Sequence, residues 1–297
     1  MLFLRLFWQV PAVLLVFVIL VFLVNECAVA RPSRRVKDVP YVAASEPDFD
    51  AKRHVLDVYV PRRNAKELRP VVLFIHGGNW DSGSKNLYWF VGRRLAKQGV
   101  VAVVISYRLA PAIQVPGMAD DCARALRWVQ RHIAELRGDP ARIFVMGHSA
   151  GGGLAALLAT DQRLLDKWQL PRNVVKGAIL DDPAGLDMFD YLKKMEYPGD
   201  DQYLVPFGQD STVWRAVSPY FQVTAQCPPM LIYTGSRTYP SIASSTQKFH
   251  QRLRELGVKH EYKILPGKKH IGMVTQLFWQ KNLIYRELLP FVGASSE

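Results

Sequence analysis

The residues best suited to chemistry lie in Gly147-His148-Ser149-Ala150-Gly151-Gly152-Gly153. A serine hydroxyl is a poor nucleophile at neutral pH until a base takes its proton as it attacks. It must therefore stand where both a base and a substrate can reach it. An apolar run, Arg142 to Met146, leads into this Gly-x-Ser-x-Gly turn, and a small-residue run, Leu154 to Ala159, leads out. Strand, tight turn and helix in that order present the serine at the top of a sheet in a strained conformation. Gly147 and Gly151 supply small residues where the strand and helix backbones nearly touch, and Ala150 and Gly152 keep the space open. The Ala150 N–H then points at the same space as the Ser149 hydroxyl. Alone, Gly-x-Ser-x-Gly also fits an ordinary loop; the flanking elements carry the reading.

A second stretch, His76-Gly77-Gly78-Asn79-Trp80, follows the apolar run Val71 to Ile75. Two glycines after a buried strand let the backbone bend so that N–H groups face a cavity. With the Ala150 N–H, those of Gly78 and Asn79 form a candidate oxyanion hole. Such donors act on charge that appears only in the transition state, each worth roughly 2.7–4 kcal/mol at comparable sites. Taken by itself the stretch reads first as a glycine turn before a helix.

These stretches need elements to position them. Strands are expected over His54 to Val60 (Val55, Asp57 and Tyr59 on one face), Val71 to Ile75, Val100 to Ile105, Arg142 to Met146, Val174 to Leu180, Met230 to Tyr233 and Glu261 to Leu265. Helices are expected over Leu87 to Gln98, Met118 to Ile133, Leu154 to Ala159 and Ile242 to Leu256, with an apolar helix running to Phe291. Alternation of the two implies right-handed crossovers and a mostly parallel central sheet flanked by helices, an α/β fold. Ligands on such sheets bind at the carboxyl ends of the strands. The Gly77 turn, the Tyr107 loop and Ser149 all fall there. Gly185 to Tyr220, rich in aromatics and proline, is too long for a plain connection and reads as a small lid.

Four stretches together resemble the α/β-hydrolase superfamily and, within it, the hormone-sensitive-lipase-like esterases. They are His76-Gly77-Gly78-Asn79-Trp80, Tyr107-Arg108-Leu109-Ala110-Pro111, Gly147-His148-Ser149-Ala150-Gly151-Gly152 and Pro266-Gly267-Lys268-Lys269-His270. The resemblance covers about residues 52 to 291. It implies Ser149 as nucleophile, His270 as general base and acid, and the Gly77-Gly78 turn as oxyanion hole. A histidine suits that role because its pKa lies near working pH. His76 and His148 are expected to be structural.

The sequence departs from the family pattern in two places. Asn79 replaces a third glycine. The acid that orients the histidine is expected after Met230 to Tyr233, where this chain has Thr238, and no Asp or Glu occurs between Cys227 and Arg254. A threonine can hydrogen-bond His270 but cannot stabilise the imidazolium by charge. Either the acid comes from the preceding strand, with Asp182 the first candidate and Asp187 the second, or the triad is incomplete. The leading reading is a serine hydrolase of carboxylic esters, acting on a small-molecule substrate without metal or cofactor. A membrane-associated relative with little or no activity, and an amidase or aryl-formamide hydrolase, are the alternatives.

Composition frames the rest. The chain has 297 residues and a formal net charge of +12, to which the first 30 contribute nothing. Its basic residues are scattered and form no nucleic-acid motif, so no nucleic-acid partner is expected. Leu2 to Val24 is apolar apart from Arg5 and Gln9, and Ala28-Val29-Ala30 offers a cleavage site. Residues 1–30 therefore read as a signal peptide or a membrane anchor, residues 31–50 as a linker, and 51–297 as one catalytic domain. The domain is expected to be exported or membrane-anchored. Arg31, Arg34, Arg35 and Lys37 after the apolar segment argue against translocation. Cys122 and Cys227 fit neither a metal nor a disulfide pattern and read as packed thiols.

Overall fold

The computed structural model of the protein describes residues 33–62 and 67–294. Eight strands make one sheet: β1 (Ser33–Pro40), β2 (Val55–Pro61), β3 (Arg69–Ile75), β4 (Val101–Ile105), β5 (Gly138–His148), β6 (Val175–Asp181), β7 (Met230–Gly235) and β8 (His260–Leu265). Their order is β1-β2-β4-β3-β5-β6-β7-β8. From β4 to β8 every pairing is parallel, while β2 runs antiparallel to both β1 and β4.

The helices explain why the central strands are apolar throughout. They are α1 (Trp89–Lys97), α2 (Val115–His132), α3 (Ala150–Thr160), α4 (Gln162–Lys167), α5 (Met188–Lys194), α6 (Leu204–Phe207), α7 (Ser211–Ala216), α8 (Pro219–Gln222), α9 (Pro240–Glu255), α10 (His270–Thr275) and α11 (Leu283–Phe291). They cover both faces of the sheet, so side chains pointing either way are buried. In β3, Val71, Leu73 and Ile75 join one core with α2 and α3; Val72 and Phe74 join the other with α1 and α11. β2 keeps the expected alternation, but both of its faces are buried.

Two expectations are corrected. Residues 31–50 are not a plain linker, because Ser33–Pro40 forms edge strand β1 and Tyr41 and Val42 are buried. Arg35 Nε donates to the buried Asp57 carboxylate at 2.9 Å, and Lys85 Nζ lies 2.9 Å from its other oxygen. The register shift between Val36 and Val39 brings the Asp38 N–H onto the same carboxylate at 2.9 Å. The run to Phe291 is also not one helix. α10 tightens into a 3₁₀ turn over Gln276–Phe278, and Asn282 caps a separate α11 by accepting the Tyr285 N–H at 2.9 Å.

The expected lid carries α5 to α8 between β6 and β7, and it packs Met188, Leu192, Phe207 and Trp214 into the core. The expected signal or anchor segment, 1–30, lies outside the described residues. Among the described residues no helix is long and apolar enough to cross a membrane.

Candidate active site

β5 ends at His148, and Ser149 follows with φ 56° and ψ −126°, in the left-handed region that side chains avoid. Close packing imposes this backbone. A Cβ on Gly147 would lie 2.0 Å from the Gly151 carbonyl oxygen, and one on Gly151 would lie 2.2 Å from that of Ile75. The Ser149 N–H donates to the Asp181 carbonyl at 3.2 Å, and the Ser149 carbonyl accepts the N–H groups of Gly152 at 2.8 Å and Ala184 at 2.9 Å. Ala150 is the first residue of α3, so its N–H has no partner within the helix.

The glycine turn after β3 leans on this elbow. A Cβ on Gly77 would come within 2.8 Å of the His148 carbonyl oxygen and 3.0 Å of the Ser149 Cβ. Gly77 is thus the contact between the two loops. Gly78, Asn79 and Trp80 all have positive φ, at 128°, 49° and 63°, which swings the chain around the serine. Gly78, Ser149 and His270 line one cavity of about 640 Å³, with Trp80, Met188 and Tyr203 among its walls.

His270 opens α10 and reaches back to the elbow. Its Nε2 lies 2.9 Å from Ser149 Oγ, and its Nδ1 lies 2.6 Å from Asp182 Oδ2. With Nδ1–H donating to the carboxylate, Nε2 is left free to accept the serine proton. Asp182 follows β6 at φ 48°, fully buried. Its Oδ1 accepts the Gly235 N–H at 2.8 Å, and its Oδ2 also accepts the Thr238 hydroxyl. The carboxylate is therefore held by the turn that follows β7. Sequence reasoning left Thr238 free to bond His270; it gives its hydroxyl to Asp182 instead. Asp187 is not part of this group: it caps α5, accepting the Asp190 N–H at 3.1 Å.

His148 and His76 brace the frame. His148 Nε2 lies 3.2 Å from the His270 carbonyl oxygen and its ring stacks on that of His270 at 4.8 Å. Burial first, then the nearby His270, push its pKa down to about 3, so it stays neutral. His76 is lowered to about 4 by burial; its Nδ1 lies 2.8 Å from the Gly77 carbonyl oxygen and its ring stacks on Tyr107 at 4.4 Å. The Tyr107 hydroxyl donates to the His76 carbonyl at 2.9 Å, and Ala110 N–H to the Trp80 carbonyl at 2.9 Å. The loop after β4 thus supports the glycine turn, a role that sequence reasoning did not assign to any residue in it.

Among the described residues one group of potential metal ligands, Asp48, His54 and Asp121, lies apart from this site. Guanidinium groups already fill the place a cation would take: Arg108 Nη2 is 2.7 Å from Asp121, and Arg124 Nη1 is 2.7 Å from Asp48. Cys122 is buried, Cys227 half-buried, and neither is in a disulfide.

A family model described as alpha/beta hydrolase fold matches residues 72–274, from β3 through α10. The chain belongs to the α/β-hydrolase family. Its motifs are those of the hormone-sensitive-lipase-like branch. The chain is 28% identical over 252 residues to an Arabidopsis thaliana protein named "probable isoprenylcysteine alpha-carbonyl methylesterase", a match covering 80% of this chain and 52% of that protein. It is 48% identical over 92 residues to a carboxylesterase of Mycobacterium tuberculosis, covering 30% of this chain and 28% of the relative. The chain spans about half the length of the plant relatives. Among solved structures, esterase B from Lactobacillus rhamnosis shares the fold with a TM-score of 0.72 at 21% identity, covering 88% of this chain and 85% of that one. A carbohydrate esterase from gut microbiota gives a TM-score of 0.73 at 21% identity, covering 88% and 95%.

Proposed function

We propose that this hydrolase cleaves carboxylic esters through an acyl-enzyme on Ser149. The observation that carries the reading is the bridging imidazole of His270, 2.9 Å from the Ser149 hydroxyl and 2.6 Å from the Asp182 carboxylate. As Ser149 Oγ bonds to the ester carbonyl carbon, its proton passes to His270 Nε2. The carbonyl oxygen becomes an oxyanion beside the N–H groups of Gly78 and Ala150. Asp182 holds the imidazole in the required tautomer and stabilises the imidazolium. Collapse of the tetrahedral intermediate breaks the bond to the alkoxy oxygen, which leaves as the alcohol with the proton from His270. Water repeats the sequence on the acyl-enzyme, releasing the carboxylic acid and restoring Ser149.

Thr238 in place of an acid favours a non-catalytic relative, and the Asp182 carboxylate 2.6 Å from His270 Nδ1 argues against it. The ester reading is also in keeping with relatives whose names are methylesterase and carboxylesterase. Ser149→Ala is expected to lower hydrolysis of p-nitrophenyl acetate by at least ~10³-fold with the fold intact, the order lost when a triad member is removed. Turnover by the variant at the wild-type rate overturns the proposal. A matched ester and anilide of one acid distinguish an esterase from an amidase on the same machinery.

A further inference from the structure

Asp182 Oδ2 is shared. It accepts both the His270 Nδ1–H and the Thr238 hydroxyl, while the Gly235 N–H occupies Oδ1. Thr238 is half-buried on the turn after β7, and its hydroxyl meets the one carboxylate atom that faces the imidazole. A hydroxyl at that atom draws electron density away from the bond to His270 and fixes the rotation of the carboxylate.

We infer that Thr238 is a positioning residue that sets how much negative charge Asp182 presents to His270. The inference rests on reading Asp182 as the triad acid. Its sign follows from which form each hydrogen bond stabilises. The Thr238 O–H stabilises the Asp182 carboxylate, so losing it makes the carboxylate more basic. The same loss leaves more charge on Oδ2 for the imidazolium, which favours protonated His270. Since His270 must be neutral to accept the serine proton, both effects move the acid limb of kcat/KM to higher pH. The other titratable groups near the pair are the buried Asp181 beside Asp182, the neutral His148 stacked on His270, Tyr239 with its ring 5.2 Å from that of His270, and the charged Arg237, Lys268 and Lys269 on the adjoining turns. All are unchanged in the variants below, so their contribution cancels in the comparison.

The test compares the pH dependence of kcat/KM for p-nitrophenyl acetate in wild type, Thr238→Val, Thr238→Ser and Asp182→Asn, with thermal unfolding of each as a check of folding; Thr238→Ala stands in if the valine variant does not fold. Thr238→Val, close to isosteric, is expected to move the acid limb upward by about half a pH unit or more, as befits a lost hydrogen bond to a charged group. Its plateau kcat is expected to fall roughly five-fold with KM unmoved, because the freed rotation of the carboxylate misplaces the imidazole and outweighs the gain in charge, and Thr238→Ser to restore the wild-type profile. Asp182→Asn is expected to lose kcat by ~10³-fold or more. If Thr238→Val follows the wild-type profile while Asp182→Asn collapses, the inference about Thr238 is wrong and Asp182 stands. If Asp182→Asn keeps wild-type kcat, the assignment of Asp182 itself fails.

Discussion

Asp181 and Asp182 are neighbours at the end of β6 with opposite surroundings. The Asp182 carboxylate collects three donors; neither oxygen of the buried Asp181 side chain has a hydrogen-bond partner. Burial, followed by the charge of Asp182, pushes the Asp181 pKa well above the usual carboxylate range. The folded protein therefore keeps a proton on Asp181 that the unfolded chain releases above about pH 4. Where the folded state binds more protons than the unfolded one, stability falls as pH rises. This loss begins near the unfolded pKa and continues through the raised folded one. Asp181→Asn removes it, so the variant is expected to melt above wild type at pH 7, with the gap closing toward pH 4. Parallel melting-temperature curves for the two proteins contradict this. The neighbouring pair also shows what was legible at the residue scale. Ser149 and the Gly77-Gly78 turn sit in local motifs that could be read from the residues, and His270 followed from the family resemblance of the stretch that ends in it. The acid could not be read that way, because β6 and β7 are adjacent and parallel. Asp182 and Thr238 thus converge on one point from different loops, and only the folded sheet shows that Asp182, and not Asp187, lies beside His270.

At the scale of elements, the apolar strands and their helices were readable because burial on both faces leaves little room for polar residues. β1 was not. It is an edge strand, with Arg34, Arg35, Lys37 and Asp38 in eight residues, and such strands carry charge that discourages pairing with another chain. Beside its ladder to β2 and the packing of Val36 and Val39 on the core, its charged side chains centre on Asp57, which is fully buried between Arg35 and Lys85. The Lys85 side chain is only 3% exposed, so removing Asp57 leaves a buried cation with the mostly exposed Asp38 and a long 3.4 Å contact to Asn86 Oδ1. Breaking one side of a buried pair typically costs about 3–5 kcal/mol. Asp57→Ala is expected to lose stability of that order in urea unfolding, with the losses concentrated at β1 and β2 in hydrogen exchange. A loss below about 1 kcal/mol would show that packing alone holds β1. The break between α10 and α11 escaped the sequence for a different reason. Its residues stay apolar on either side, and only the Asn282 cap marks the second start.

Across the whole molecule, the parallel sheet gathers the loops after β3, β4, β5, β6, β7 and β8 at one pole. Each contributes to the site: the glycine turn, its Tyr107 support, Ser149, Asp182, Thr238 and His270. The chain enters at the other pole, since Ser33 pairs with Pro61 while Pro40 pairs with Val55, next to the pairing of Leu56 with Ile105 at the end of β4. Ser33 therefore lies on the side of the domain away from the cavity. Because Ser149 and His270 lie 121 positions apart, their meeting is a property of the complete fold. Labelling with a fluorophosphonate, with the adduct located by peptide mapping, probes that meeting most directly. One adduct per molecule on Ser149, formed in step with loss of esterase activity and slowed in Asp182→Asn, is the expected result. A folded protein that resists labelling, or one whose activity disappears with an adduct on another residue, would contradict it.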